Sequence, residues 1–378
     1  MSVSSLVQLL EQVSAKPILD AAPTEDRGVA EQLPYPFMAL VGQTEMKTAL
    51  VLTLINPAVN GVLLIGPRGT GKTTAVRSLT DLLPMLPRSL CQYGCMPEDI
   101  ESGGMDAVCP DCAKKYGEGQ PLTRMEPVAI VELSLNARLE DVVGGINERA
   151  AAHQRLMLQR GILARSDRNL LYVDEVNLLA DDIVDAILDA AAQGQYTLHR
   201  GPFTATFRSR FALIGSMNPE EGRLRPQMMD RFGLRVVVHG LNESAERFEA
   251  YRRTHAYLNN PRNVVAAYAD ETLAARGEIQ NARNTLPKVT ISAAAEKAGL
   301  ELVQKMKIDS LRAEITLFEA ARAHAAADNR TEVVPADVRA VAPMAMRLRR
   351  SKFMQDYFAS QQTEEQEIKS AIDLVTPE

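Results

Sequence analysis

Eight consecutive residues set the first chemical constraint. Gly66-Pro67-Arg68-Gly69-Thr70-Gly71-Lys72-Thr73 satisfies G-x-x-x-x-G-K-[ST] at every fixed position. Glycines at this spacing let successive backbone N–H groups point into one concavity, where they bind phosphate oxygens. A helix starting at the end of the loop adds its positive N-terminal end. Lys72 would reach the β- and γ-phosphates and Thr73 would ligate Mg²⁺, with Thr74 closing the phosphate-facing set. Such a loop needs an acid on the metal side. Asp174 and Glu175 follow the apolar run "LLYV". Asp174 would hold Mg²⁺ through water, and Glu175 would orient and deprotonate an attacking water. Asn218 ends another apolar run, "FALIGSMN", and could hydrogen-bond both the γ-phosphate and the water. Arg225 and Arg231 follow in "RLRPQMMDRFGL". A guanidinium stabilises charge on a transferring phosphoryl group, and a neighbouring subunit can supply it. Each feature also has an inert reading: an unliganded turn, an exposed acidic strand end, an Asn tolerated by a turn, a surface ion pair. Their order along the chain favours the chemical reading.

The four cysteines form a second cluster. Cys91, Cys95, Cys109 and Cys112 give C-x3-C, thirteen residues, then C-x2-C. Four thiolates at this spacing could hold a tetrahedral Zn²⁺. Two redox-active pairs, or four reduced and unligated thiols, are the alternatives.

These groups need a scaffold. "GVLLIG", "VAIVELSL", "NLLYVDEVNLL", "FALIGSMNP" and "LRVVVHG" are short apolar runs and read as five buried strands. Helical stretches fall between most of them, which predicts a parallel, doubly wound α/β sheet with its sites at strand C-termini. A helix is expected after Gly42 and another from Thr73 to Leu83, stopped near Pro84. Residues 88–127, rich in Pro, Gly, Cys and acids, read as an ordered insertion or long loop. From about Leu241 the periodicity becomes helical throughout and predicts a separate helical domain. The expected division is an extension at 1–35, a core at 36–240, helices at 241–350 and an acidic, polar tail at 351–378. The 378 residues carry a net charge of −6, which argues against a dedicated nucleic-acid binder. The N-terminus has no basic stretch before an apolar core, and no run is long enough to span a membrane. Cytoplasm is the expected compartment.

With the phosphate loop, "YVDE", "SMNP" and "RPQMMDRF" in order before a helical domain, the sequence resembles AAA+ ATPases. Within them it resembles the ATPase I subunit of magnesium chelatase, through "LVGQTEMKTALVLTLINPAVNGVLLIGPRGTGKTT", "GSMNPEEGRLRPQMMDRFGL" and "LRAEITLFEAARAHAA". The resemblance covers most of residues 36–350. It implies an ATP-hydrolysing motor that drives Mg²⁺ insertion into protoporphyrin IX for chlorophyll or bacteriochlorophyll synthesis. It also implies hexameric rings and D- and H-type partner subunits. Val41, Gly42 and Gln43 fall where the family cradles adenine. Asn218 matches sensor 1, Arg231 the arginine finger acting in trans, and Arg312 the sensor 2 arginine. Residues 196–207 match a hairpin before sensor 1, and 135–163 match an insertion in the second helix. The four cysteines depart from the family pattern. The alternative function is a related MoxR-type ATPase that remodels another protein client. A nucleic-acid motor, suggested by "MRLRRSK", is disfavoured by the acidic net charge.

Overall fold

The computed structural model describes residues 33–146, 158–200, 203–222 and 224–349. The expected extension up to residue 32, part of the 135–163 insertion, residues 201–202 and 223, and the segment from residue 350 that includes the acidic tail lie outside the described residues.

The five apolar runs form one sheet: β1 (Val62–Ile65), β2 (Ile130–Leu133), β3 (Leu170–Val173), β4 (Ala212–Met217) and β5 (Leu234–Val237). Every ladder is parallel, and the strand order is β5-β1-β4-β3-β2. Val62 lies opposite Ile214 on one side and Leu234 on the other. Parallel sheets are covered on both faces, so their strands are apolar at successive positions. β1, β3 and β4 are buried along their whole length.

Alternation then separates two cores. Val62 and Leu64 join one face, while Leu63 and Ile65 join the other. The second face is filled by α3 (Asp181–Gln193), through Ile183, Val184, Ile187 and Leu188, and by Met228 of α4 (Pro226–Arg231). The first face takes α1 (Thr44–Ile55) together with helices from beyond residue 241. Those helices are α5 (Ser244–Asn259), α6 (Pro261–Ala267), α7 (Ala269–Thr285), α8 (Ala293–Lys305), α9 (Leu311–Ala327) and α10 (Pro335–Met346). Ala313, Ala320, Ala321 and Ala323 of α9 are fully buried. Small side chains of this kind let α9 share a continuous core with α1. The helical region is therefore packed against the sheet's own apolar face. A short parallel pair, Thr290–Ile291 with Glu332–Val333, also lies in this region, and the sequence periodicity did not reveal it.

The loop helix α2 (Lys72–Arg77) tightens into a 3₁₀ segment, Ser78–Leu82, before Pro84. Residues 88–127 are ordered. Met85–Ser89 pairs antiparallel with Thr123–Pro127, and helices Pro97–Gly103 and Pro110–Gly117 lie between them. Elements this short leave no legible period. The hairpin Gln195–Arg200 and Phe203–Arg208 precedes β4, as expected. Among the described residues, no helix is long and apolar enough to cross a membrane.

Candidate functional site

A cleft of about 380 Å³ opens at the C-terminal ends of β1, β3 and β4, lined by residues 68–74 with Asp174, Glu175, Ser216, Met217 and Asn218. A second cavity of about 540 Å³ adjoins it and shares Gly69, Thr70, Gly71 and Thr74. Its other walls include Tyr35, Leu40, Val41, Gln43, Met46, Leu241 and Tyr257. One polar and one more apolar compartment, joined along the loop, suit a phosphate chain and a heterocyclic base.

The glycines of the loop divide by role. Gly69 and Gly71 have φ of +78° and +84°, and a Cβ on either would meet nothing within 4 Å. They face open space, and their left-handed backbone is the kind that can turn N–H groups toward an anion. Gly66 differs from the expectation: a Cβ there would lie 2.2 Å from the carbonyl oxygen of Val238. Its smallness serves the packing of β1 against the chain leaving β5. Gly42 is confined similarly, since its Cβ would fall 2.7 Å from Leu241 Cδ2. The next residue, Gln43, donates from Nε2 to the His239 carbonyl at 2.6 Å.

Lys72 is buried, and its Nζ donates to the carbonyl oxygens of Gly66 and Pro67, both at 2.8 Å. Burial lowers its pKa, while Asp174, Glu221 and Glu175 oppose that shift. Thr73 Oγ1 donates to Asp174 Oδ2 at 3.1 Å and accepts from the Tyr172 hydroxyl at 3.2 Å. Ser216 donates to the other Asp174 oxygen and accepts the Glu175 backbone N–H at 3.1 Å. A hydroxyl beside a carboxylate is an oxygen donor set that fits Mg²⁺. Glu175 stands at φ +50°, a strained backbone for a non-glycine residue at a strand end. Arg68 reaches Glu175 at 3.5 Å and Glu221 at 2.5 Å. Asn218 Nδ2 donates to Glu221 Oε1 at 2.9 Å. Thus Lys72, Thr73, Asp174, Glu175 and Asn218 converge on one cleft. Tyr172, Ser216 and Glu221 join them although sequence reasoning had passed over them. A signal existed for Ser216, a polar residue inside an otherwise apolar strand.

Arg231 and Arg312 are not in this cleft. They line a small recess with Asn60, Leu213, Asp230 and Thr316. Asn60 and Leu213 sit at the starts of β1 and β4, whereas the phosphate loop follows the end of β1. At roughly 3.3 Å per residue, β1 alone puts about 13 Å between the two. Arg231 pairs with Asp189, and Arg225 pairs with Asp181 and Asp185 at 3.2 and 3.3 Å. Arg312 is held by Asp230 at 3.3 Å, which also takes Arg235 at 3.2 Å and Arg349 at 2.7 Å. The four cysteine sulfurs, for their part, lie within 4.8 Å of one another in the 88–127 insertion.

The family described as AAA lid domain matches residues 299–371. The magnesium-chelatase 38 kDa subunit of Acidiphilium rubrum is 41% identical over 317 residues, covering 83% of this chain and 90% of that one. The magnesium-chelatase subunit ChlI homolog of Methanocaldococcus jannaschii is 40% identical over 323 residues, covering 84% and 87%. A crystal structure of a Cytophaga hutchinsonii protein, 20% identical, matches with a TM-score of 0.51 over 82% of this chain and 83% of that one. That last likeness concerns the fold alone.

Proposed function

The chain belongs to the family of magnesium-chelatase ChlI subunits, and from that premise we propose that it is an ATP-hydrolysing AAA+ ring subunit of a chelatase-type complex. The observation that carries this reading is the convergence of Lys72, Thr73, Asp174, Glu175 and Asn218 on one cleft at the strand ends. ATP would lie across the two joined cavities, its base against Val41 and Gln43 and its phosphates along the Gly69–Gly71 backbone. A bound Mg²⁺, held by Thr73 and Asp174, would neutralise charge on the phosphate oxygens.

The chain's own groups then have distinct tasks. Lys72 exchanges the Gly66 and Pro67 carbonyls for phosphate oxygens, a charge-assisted contact. Ser216 and Tyr172 keep the Asp174 carboxylate and the Thr73 hydroxyl oriented. Glu175 accepts a proton from the attacking water at its carboxylate. Asn218 positions that water, and Arg68 releases Glu175 when phosphate enters. Arg231 and Arg312, at the opposite end of the sheet's strands, serve the cleft of the neighbouring copy in a hexameric ring. The exposed acids that hold Arg225 and Arg231 make weak pairs that a phosphate can displace.

In this reading the core spans 36–240 and the helical lid 241–350, with 1–35 and 351–378 as flanking segments. Work done by hydrolysis is passed to D- and H-type subunits, where Mg²⁺ enters protoporphyrin IX. Reconstitution with D- and H-type subunits tests it. ATP-dependent formation of Mg-protoporphyrin, followed by fluorescence, is expected only when this chain is present. ATP hydrolysis without any metallation in an otherwise active mixture would point to another protein client. A folded protein with no ATPase activity would overturn the motor assignment itself.

A further inference from the structure

We propose that Cys91, Cys95, Cys109 and Cys112 hold one Zn²⁺ in a closed four-thiolate site, and that this site seats the insertion on the hairpin before β4. The sulfurs of Cys91 and Cys95 are 3.8 Å apart, and those of Cys91 and Cys109 are 3.6 Å apart. A tetrahedron with Zn–S bonds of about 2.3 Å has edges of about 3.8 Å. Disulfide sulfurs would stand about 2 Å apart, and all four cysteines are free. Two redox pairs would need each couple to meet separately. Here both couples, from two segments of the chain, meet at one point.

The surroundings suit a metal. The backbone N–H of Tyr93 points at Cys91 Sγ at 3.3 Å, and that of Cys109 at Cys95 Sγ at 3.4 Å. Such donors favour sulfur in its anionic, metal-binding form and orient it. The buried apolar residues of the insertion are Cys95, Met96, Ile100, Cys112 and Leu122. So few apolar side chains cannot by themselves hold two short helices and a ribbon in place, and a metal is a usual remedy in units this small. Four protein ligands leave no open position, so the site is structural.

The loop between the first two cysteines is also the surface that meets the hairpin. The Tyr93 ring stacks on Phe207 with centroids 5.5 Å apart. The Tyr93 carbonyl accepts the Arg208 backbone N–H at 3.1 Å, and the Gly94 carbonyl accepts from Arg210 at 3.1 Å. Gly94 has φ +77°, and a Cβ there would lie 2.8 Å from Arg208 Cβ. This close fit requires the loop to keep one shape, and the metal imposes it. The hairpin leads directly into β4, whose end carries Asn218.

The test uses the full chain, purified under reducing conditions without added metal. Elemental analysis should find about one zinc per chain. A mercurial thiol reagent should release it, as read by a zinc-sensitive dye. On release, hydrogen exchange should quicken in 88–127 and in the hairpin 195–208, while β1 keeps its protection. The Cys91→Ser/Cys112→Ser variant should lose the zinc. Zinc far below one equivalent with four reactive thiols, or two disulfides by mass spectrometry, would overturn the site. Full zinc retention in the double variant would overturn it as well. Unchanged exchange in the hairpin after release would overturn the seating role. None of these readouts depends on ATP hydrolysis.

Discussion

Two of the three ammonium donors of Lys72 are committed to carbonyls of its own loop. In the proposed nucleotide complex a phosphate oxygen would displace them, because an ionic acceptor is favoured over a neutral one by about 1.5–3 kcal/mol for hydrogen bonds to charged groups. Lys72→Ala should therefore weaken ATP binding by about ten- to a hundredfold, as measured by nucleotide titration. Glu175→Gln should behave differently. The amide keeps the shape and removes the base, so affinity stays within a few-fold while kcat falls by about 10²–10⁴. Steady-state turnover equal to wild type would remove Glu175 from the role of base. At this scale the phosphate loop and the strand-end acids were legible, because each lies in a run of consecutive residues. The supporting hydroxyls were less so. Tyr172 and Ser216 matter through what they touch, Thr73 and Asp174, and those partners are distant in the chain.

Among the elements, α3 carries Asp181, Asp185 and Asp189 at four-residue steps, which puts all three on one face. That face holds Arg225 and Arg231. In the helical region, Asp337 does comparable work in the first turn of α10. It is buried, and it accepts from the Val334 N–H at 2.8 Å, from Arg330 at 2.8 Å and from the His324 ring at 2.8 Å. Burial alone would push its carboxyl up, but Arg330, His324 and the Val334 N–H together hold it well below the usual carboxylate range. A group depressed in the folded state stabilises above its unfolded pKa and loses that contribution as pH falls toward the folded one. Asp337→Asn should thus cost about 2–3 kcal/mol at neutral pH, less than a fully buried pair because Arg330 keeps Asp328 and some solvent. The gap in melting temperature between variant and wild type should narrow below about pH 4. A gap that stays constant from pH 7 to pH 3 would contradict this account.

For the whole molecule, the informative fact is that the proposed nucleotide cleft and the arginine recess occupy opposite ends of the same sheet. One copy cannot bring them together, so a shared active site requires a neighbour. Arg231→Ala should leave ATP binding nearly intact and depress hydrolysis by about 10³-fold or more, the scale of a missing arginine finger. Mixing Arg231→Ala with Glu175→Gln should restore part of the activity, because some interfaces then pair an intact cleft with an intact arginine. No recovery across mixing ratios, or full activity in a preparation shown to be monomeric by light scattering, would refute sharing.

The local devices could be read along the chain: the glycine-rich loop, the five strands, the acids at their ends and the helical character beyond residue 241. Each follows from short-range sterics and from periods of two or 3.6 residues, which a linear reading contains. What depends on strand order and packing came from the folded chain alone. The order β5-β1-β4-β3-β2 places Asp174 and Asn218 beside Lys72, while Arg231 falls at the opposite end of the strands. It makes Gly66 a packing glycine against Val238. It lets α9 close over α1 and deliver Arg312 to Asp230, 82 positions away in the chain. And it gathers four cysteines from two segments onto one point. Spacing permitted that meeting, but only the fold of the insertion, with its ribbon and two short helices, brings the sulfurs within reach of a single ion.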